Sequence, residues 1–403
     1  MRRLMCMHKL YAHLPPTCPQ ERIDMSDTAS PPGTSRRSFI KTGVALGASV
    51  GVGSSLLATA ADAADPKVLN YLSWPGNADP SIVGEFEKEH GVKIRIKEYV
   101  GGDQMMAVVN QSPPGTYDVV LADAEYMHLL KAADFIEPLD PADYPLKDLW
   151  PEFQKFPLHW IDNKLYGVML DFGYLGISYN TKAFTAKEVS SYSVLWSEKA
   201  KGKVGFFDWY LPSMGCMSLA SGFRPPYDID KAKFEAMKKK MFSLKPQASG
   251  FYTIADIFSS MTNGRALLIP GIGEWITLGL RTSGVPVDTI IPDEGGLQYT
   301  ESLSIVKGTS KRDLARKFIQ YSLTPRAQVA MATKVDNRKS IPSMPAWKLL
   351  NDTKPQEAQL LRMTLKGPNV MDEYKAKKIQ LRQLPKQQSI EDWNETWSQF
   401  KSL

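Results

Sequence analysis

Cysteine and histidine are scarce in this sequence, with three and five residues in 403. Cys6 and Cys18 fall within the first 63 residues and only Cys216 follows, so the rest of the chain has no partner for an internal disulfide. His90, His128 and His159 are the histidines beyond that point, and they stand far apart. HExxH, CxxC, GxSxG and P-loop patterns are missing, which leaves neither a zinc site nor a nucleophile–base pair in view. Nothing pairs two carboxylates on a scaffold that would suit a glycosidase. Blocks of basic charge are missing too, so nucleic acid as a partner lacks electrostatic support. No apolar run is long enough for a comfortable bilayer span. Met105, Met106 and the other methionines read as core filler, so no cofactor is expected. The chain reads as something other than an enzyme.

What is present begins with an address. Ser35-Arg36-Arg37-Ser38-Phe39-Ile40-Lys41 matches the twin-arginine export pattern, and a Gly/Ala/Ser-rich stretch follows from Gly43. Ala61-Asp62-Ala63 has the small-x-small form that signal peptidase needs, so the mature chain is expected to begin near Ala64. Met25 would give a signal peptide of ordinary length over 25–63, with residues 1–24 an upstream extension. This predicts export by the twin-arginine machinery to the periplasm. Loss of residues 1–63 removes seven Lys/Arg and four Asp/Glu, which takes the formal net charge from +6 to about +3. Roughly 340 residues remain, more than one core usually serves, so two domains are expected.

The mature chain alternates strand and helix. VLNYL (68–72) reads as a strand, Asp79-Pro80 opens a helix, and Gly91 stops it. Ile82, Val83 and Phe86 give that helix its apolar stripe. VKIRIKEY alternates, and YDVVLAD is an apolar run suited to a buried parallel strand. The pattern restarts in GKVGFFD, RALLIP, DTIIP and SLSIV, with Ser310 as the expected cap of RDLARKFIQYSL. Such alternation predicts α/β architecture with open, mainly parallel sheets flanked by helices.

In open α/β sheets, ligands lie beyond the carboxyl ends of strands. That rule selects Ser73-Trp74, Ala122-Asp123, Asp208-Trp209 and Gly271-Ile-Gly-Glu274, while Tyr299-Thr-Glu301 sits on a crossing just before SLSIV. The set is mostly rings and carboxylates, which suits an organic cation. Two have a plainer use, Trp74 as core and Asp123 as a helix cap; Gly271 and Gly273 resemble part of a dinucleotide fingerprint but better suit close approach of the backbone to a small ligand. The fingerprint lacks its third glycine, since Ile276 stands there.

Taken in order, LSWPGNADPSIVGEFEKEHGVKI, YDVVLADAEYMHLLKAADFIEPLD, LYGVMLDFGYLGISYN, VLWSEKAKGKVGFFD and VPVDTIIPDEGGLQYTESLSIVKGTSKRDLARKFIQY resemble the periplasmic solute-binding proteins of ABC importers, spermidine/putrescine type. The resemblance implies a two-lobed fold that closes over its solute and a monomer that meets an inner-membrane permease. Lobe 1 would comprise 66–174 plus 301–324, and lobe 2 175–300 plus 325–403, hinged near Gly173 and Thr300. It places Trp74, Phe172 and Tyr299 as ring contacts and Glu274 and Glu301 as amine partners, with Asp208 at the first position of an acidic cluster; Asp123 stays a candidate from its strand end alone. Trp209 and Pro212 stand where the polyamine binders hold further acids. A short or singly charged amine, or a solute with an additional polar group, therefore fits as well as a long polyamine. Two other readings stay open: an iron(III) binder of the same fold, which would need clustered tyrosines, and a twin-arginine-exported oxidoreductase.

Overall fold

The computed structural model describes Asp65 and residues 67–334, 338–376 and 378–403. The twin-arginine segment, the expected cleavage site and residues 1–24 lie outside the described residues. Strands β1 (Val68–Ser73), β2 (Lys93–Glu98) and β3 (Val119–Asp123) form a parallel set with β1 in the middle. Helix Pro80–His90 connects β1 to β2 and is bounded as its sequence suggests. The Asp79 carboxylate accepts the Ser81 N–H, Pro80 occupies the first turn, and Gly91 ends the helix at φ 63. Ile82, Val83 and Phe86 are its buried face, with Phe86 against Phe318.

After a short hairpin, β4 (Trp160–Ile161) and β5 (Lys164–Leu165), comes the thirteen-residue β6 (Val168–Asn180). Then follow β7 (Val204–Phe207), β8 (Ala248–Tyr252), β9 (Leu268–Gly273), β10 (Val287–Ile290), the long β11 (Gly296–Ile305) and β12 (Ile379–Leu381). The sheet runs β2-β1-β3-β11-β6-β9-β7-β8, with β10 against β6 and β12 against β11. Its two outer groups are parallel, whereas β6 and β11 run antiparallel to each other and to their neighbours β9 and β3.

The two long strands tie the halves together. Pairing with β3 ends where Asp123 meets Glu301, and pairing with β9 ends where Gly273 meets Leu175. Between those points Phe172 faces Thr300, Gly173 faces Tyr299 and Tyr174 faces Gln298. The carboxyl ends of β3 and β9 therefore approach this window from opposite sides.

Several sequence expectations shift. The strand expected at RALLIP begins later and includes Gly271-Ile-Gly273, so helix Glu274–Thr282 starts directly from it. A Cβ on Gly273 would lie 2.1 Å from the Tyr174 carbonyl oxygen, so only glycine allows this close pairing. Tyr299-Thr-Glu301 lies inside β11, with a register shift after Glu301. Ser310 does not cap helix Arg312–Ser322; the Thr309 hydroxyl instead accepts the Lys311 N–H just before it. Helix Pro325–Ala332, expected with the second half, packs against Pro80–His90, and Gln328 donates to the Leu170 carbonyl. The last helix, Ile390–Ser402, does pack against the second half, on Tyr210–Ala220 and Lys231–Phe242. Cys216 is buried and free. Among the described residues no helix is long and apolar enough to cross a membrane.

Candidate functional site

A cleft of about 320 Å³ opens at the window between the two halves. Six rings line it: Trp74, Phe207, Trp209, Phe258, Trp275 and Tyr299. Trp74 lies one residue beyond β1, where its indole N–H donates to Asp123 Oδ2 at 3.1 Å. Its ring meets Tyr99 at 5.3 Å and Trp209, from the far side, at 5.8 Å between centroids. Tyr299 packs over Gly173, where any Cβ would stand 2.5 Å from the ring. Gly271, at φ +82, lets its strand pass the start of helix Tyr210–Ala220, since a Cβ would sit 3.1 Å from Pro212 C.

Two carboxylates line the cleft, Asp123 and Glu301, and each meets a buried cation. Arg382 donates Nη2 to Asp123 and Nε to Glu125, which lies just behind. Lys339 pairs with Glu301, reaches Asp171 at 3.1 Å and touches Asn77 Oδ1 at 3.3 Å. Burial raises the pKa of Asp123, and it pushes Glu125 up to about 7 against the pull of Arg382. Burial, reinforced by Glu301, holds Asp171 well above the carboxylate range. Burial opposes the charges of Lys339 and Arg382, but their acid partners outweigh it and keep both protonated. Burial thus works against the charged forms of Asp123, Glu125 and Asp171, while both cations stay charged.

Of the seven residues singled out in the sequence, Trp74, Asp123, Tyr299 and Glu301 come together on this cleft. Three others do not. Phe172 neighbours Gly173 on β6, so strand alternation turns its side chain to the opposite face. It is fully buried against Phe153 and Tyr174, with centroids 4.7 and 5.8 Å away. Asp208 faces outward, held by Lys401 at 2.8 Å and the Trp397 indole at 3.2 Å. Glu274 opens its helix on the far side of β6, pairs with Arg362 at 3.0 Å and borders a separate cavity beside Tyr174 and Glu373. Asp123 serves no helix as a cap; its oxygens go to Trp74 and Arg382.

Sequence reasoning missed both cations. Lys339 and Arg382 come from non-periodic C-terminal segments that carry no strand or helix signature. The usable signal was Asp171, a carboxylate inside the apolar run VMLDFGYL, because such a group needs a buried partner. Among the described residues no group of three or more His, Cys, Asp and Glu could hold a metal ion.

Known proteins share this chain's family and fold. A model of the bacterial extracellular solute-binding protein family matches residues 81–359. The spermidine/putrescine-binding periplasmic protein of Salmonella typhi is 24% identical over 307 residues, which cover 73% of this chain and 82% of that one. Among solved structures, the spermidine/putrescine ABC transporter substrate-binding protein PotD from Streptococcus pneumoniae aligns with a TM-score of 0.68 at 19% identity, covering 83% of this chain and 99% of that one. The Atu4243-GABA receptor aligns with a TM-score of 0.62 at 21% identity, covering 83% and 97%. The fold is therefore the two-lobed one of periplasmic binding proteins.

Proposed function

As the chain belongs to the bacterial extracellular solute-binding protein family, we propose that it captures a small amine-bearing solute in the periplasm for an ABC importer. The observation that carries this reading is the ring-lined cleft at the strand crossing, with Asp123 and Glu301 on its walls. Rings present negative faces to an ammonium group, and the carboxylates accept its N–H bonds. The relatives' names point to amines as well. Since both lining carboxylates already face protein cations, the solute brings few positive charges, one ammonium rather than the several of a long polyamine.

The crossing near Gly173 and Thr300 acts as the hinge. The half built on β1–β3 takes helix Pro325–Ala332 with it, and the half built on β7–β9 takes Ile390–Ser402. Closure follows from a ligand that touches both halves, because only differential binding shifts such an equilibrium. The closed form then meets the permease, and the protein performs no chemistry. Delivery to the periplasm runs through the twin-arginine pathway. Arg36→Lys together with Arg37→Lys should leave precursor in the cytoplasm, and normal export of that variant would refute the assignment.

A ligand that binds only the folded state raises the melting temperature by mass action. A thermal-shift screen of monoamines and diamines should find members that raise it in a dose-dependent way, and Trp74→Ala should remove the rise. A screen in which amines do nothing while neutral sugars or plain anions stabilise the protein would overturn the amine reading.

A further inference from the structure

One wall of the cleft is built to receive negative charge. Arg382 is 5% exposed, and its guanidinium lies over Trp209 at 4.8 Å and Tyr299 at 6.0 Å from the ring centroids. A protein cation therefore already occupies two of the ring faces that a second ligand ammonium would need. Nε and Nη2 are spent on Glu125 and Asp123, while Nη1 has no partner among the described residues. Arg382 lines the cleft, so Nη1 is the donor left for a bound molecule.

Helix Tyr210–Ala220 begins on the same wall, where Trp209 and Pro212 line the cleft. No side chain caps it, and no acidic residue lies in its first turn, so its partial positive end is uncompensated. Lys339 adds a third positive feature at the floor. Against these stand only Asp123 and Glu301 as lining acids.

We infer that the solute carries a carboxylate as well as an amine, and that Arg382, through Nη1, with the start of helix Tyr210–Ala220 receives that carboxylate. The inference rests on the amine-capture reading and narrows its ligand to amino acids and related zwitterions. Arg382 is then a specificity residue. With the rest of its guanidinium fixed by Glu125 and Asp123, Nη1 is a charged N–H donor held in one place. A diamine placed in the same pose would bring its second ammonium against Arg382, which disfavours it by like-charge repulsion.

The test compares three ligand types at matched lengths of three to six carbons: α,ω-diamines, ω-amino acids and dicarboxylates, together with a set of α-amino acids. Calorimetric titration of the wild-type protein should give the best amino acid at least tenfold tighter binding than the diamine of equal length. Arg382→Lys keeps a charge against Asp123 while removing Nη1, and it should cut the amino-acid advantage to about threefold or less. If that variant misfolds, the wild-type ranking decides alone. A diamine that binds tightest overturns the inference and leaves the amine-capture reading standing. Binding of dicarboxylates alone overturns both, and so does the absence of binding by every member.

Discussion

At the residue scale, the cleft gathers two acids, Asp123 and Glu301, and three cations, Lys334, Lys339 and Arg382, under aromatic rings. Glu301 touches the cleft and Lys339, whereas Glu274 is engaged by Arg362 elsewhere. Glu301→Gln should weaken binding of an amine solute by about 1.5–3 kcal/mol, or roughly tenfold to a hundredfold in affinity. Glu274→Gln should leave the affinity unchanged. Titration calorimetry of the two variants with the same amine checks the contrast, and equal losses would mean the cleft has been misassigned. Trp74 and Asp123 are legible in the sequence because each stands at the carboxyl end of an apolar strand. Phe172 is misleading because a single-residue step along β6 reverses the face, and family likeness carries no register. Glu274 fails for a similar reason, since three further residues of β9 carry it past the cleft.

At the element scale, boundaries with local chemistry read well and those set by tertiary contact do not. Helix Pro80–His90 is announced by Asp79, Pro80 and Gly91, each acting within its own turn. The extension of β9 through Gly273 is decided by the Tyr174 carbonyl, which lies about a hundred residues away in the chain. Gly273→Ala should therefore force β6 and β9 apart and cost about 1–3 kcal/mol. Gly84 provides the opposite case, because it sits within Pro80–His90 and a Cβ there would meet nothing within 4 Å. Gly84→Ala should stabilise the protein by about 0.5–1 kcal/mol through helix propensity and reduced unfolded-state freedom. Urea unfolding of both variants measures the two signs. A Gly273→Ala protein as stable as the parent would show that the β6–β9 contact is slack.

At the scale of the whole molecule, buried side chains from both halves pack together beside the cleft. Trp74 meets Trp209, Asn394 donates to Asp103 at 3.3 Å, and Arg382 bridges to Asp123 and Glu125. The strand crossing is narrow, since β6 and β11 pair with each other through Phe172–Tyr174 without β3 or β9 alongside. A two-lobed arrangement is legible from the repeated strand–helix pattern and the chain length. The placement of Pro325–Ala332 is not, because its apolar residues would suit either half and packing alone decides. A solute trap requires that these contacts part while each half stays folded. Small-angle X-ray scattering, with and without the amine that most raises the melting temperature, decides whether the halves close on their solute. Capture by closure predicts a smaller radius of gyration at saturation. Tight binding with an unchanged radius would contradict it.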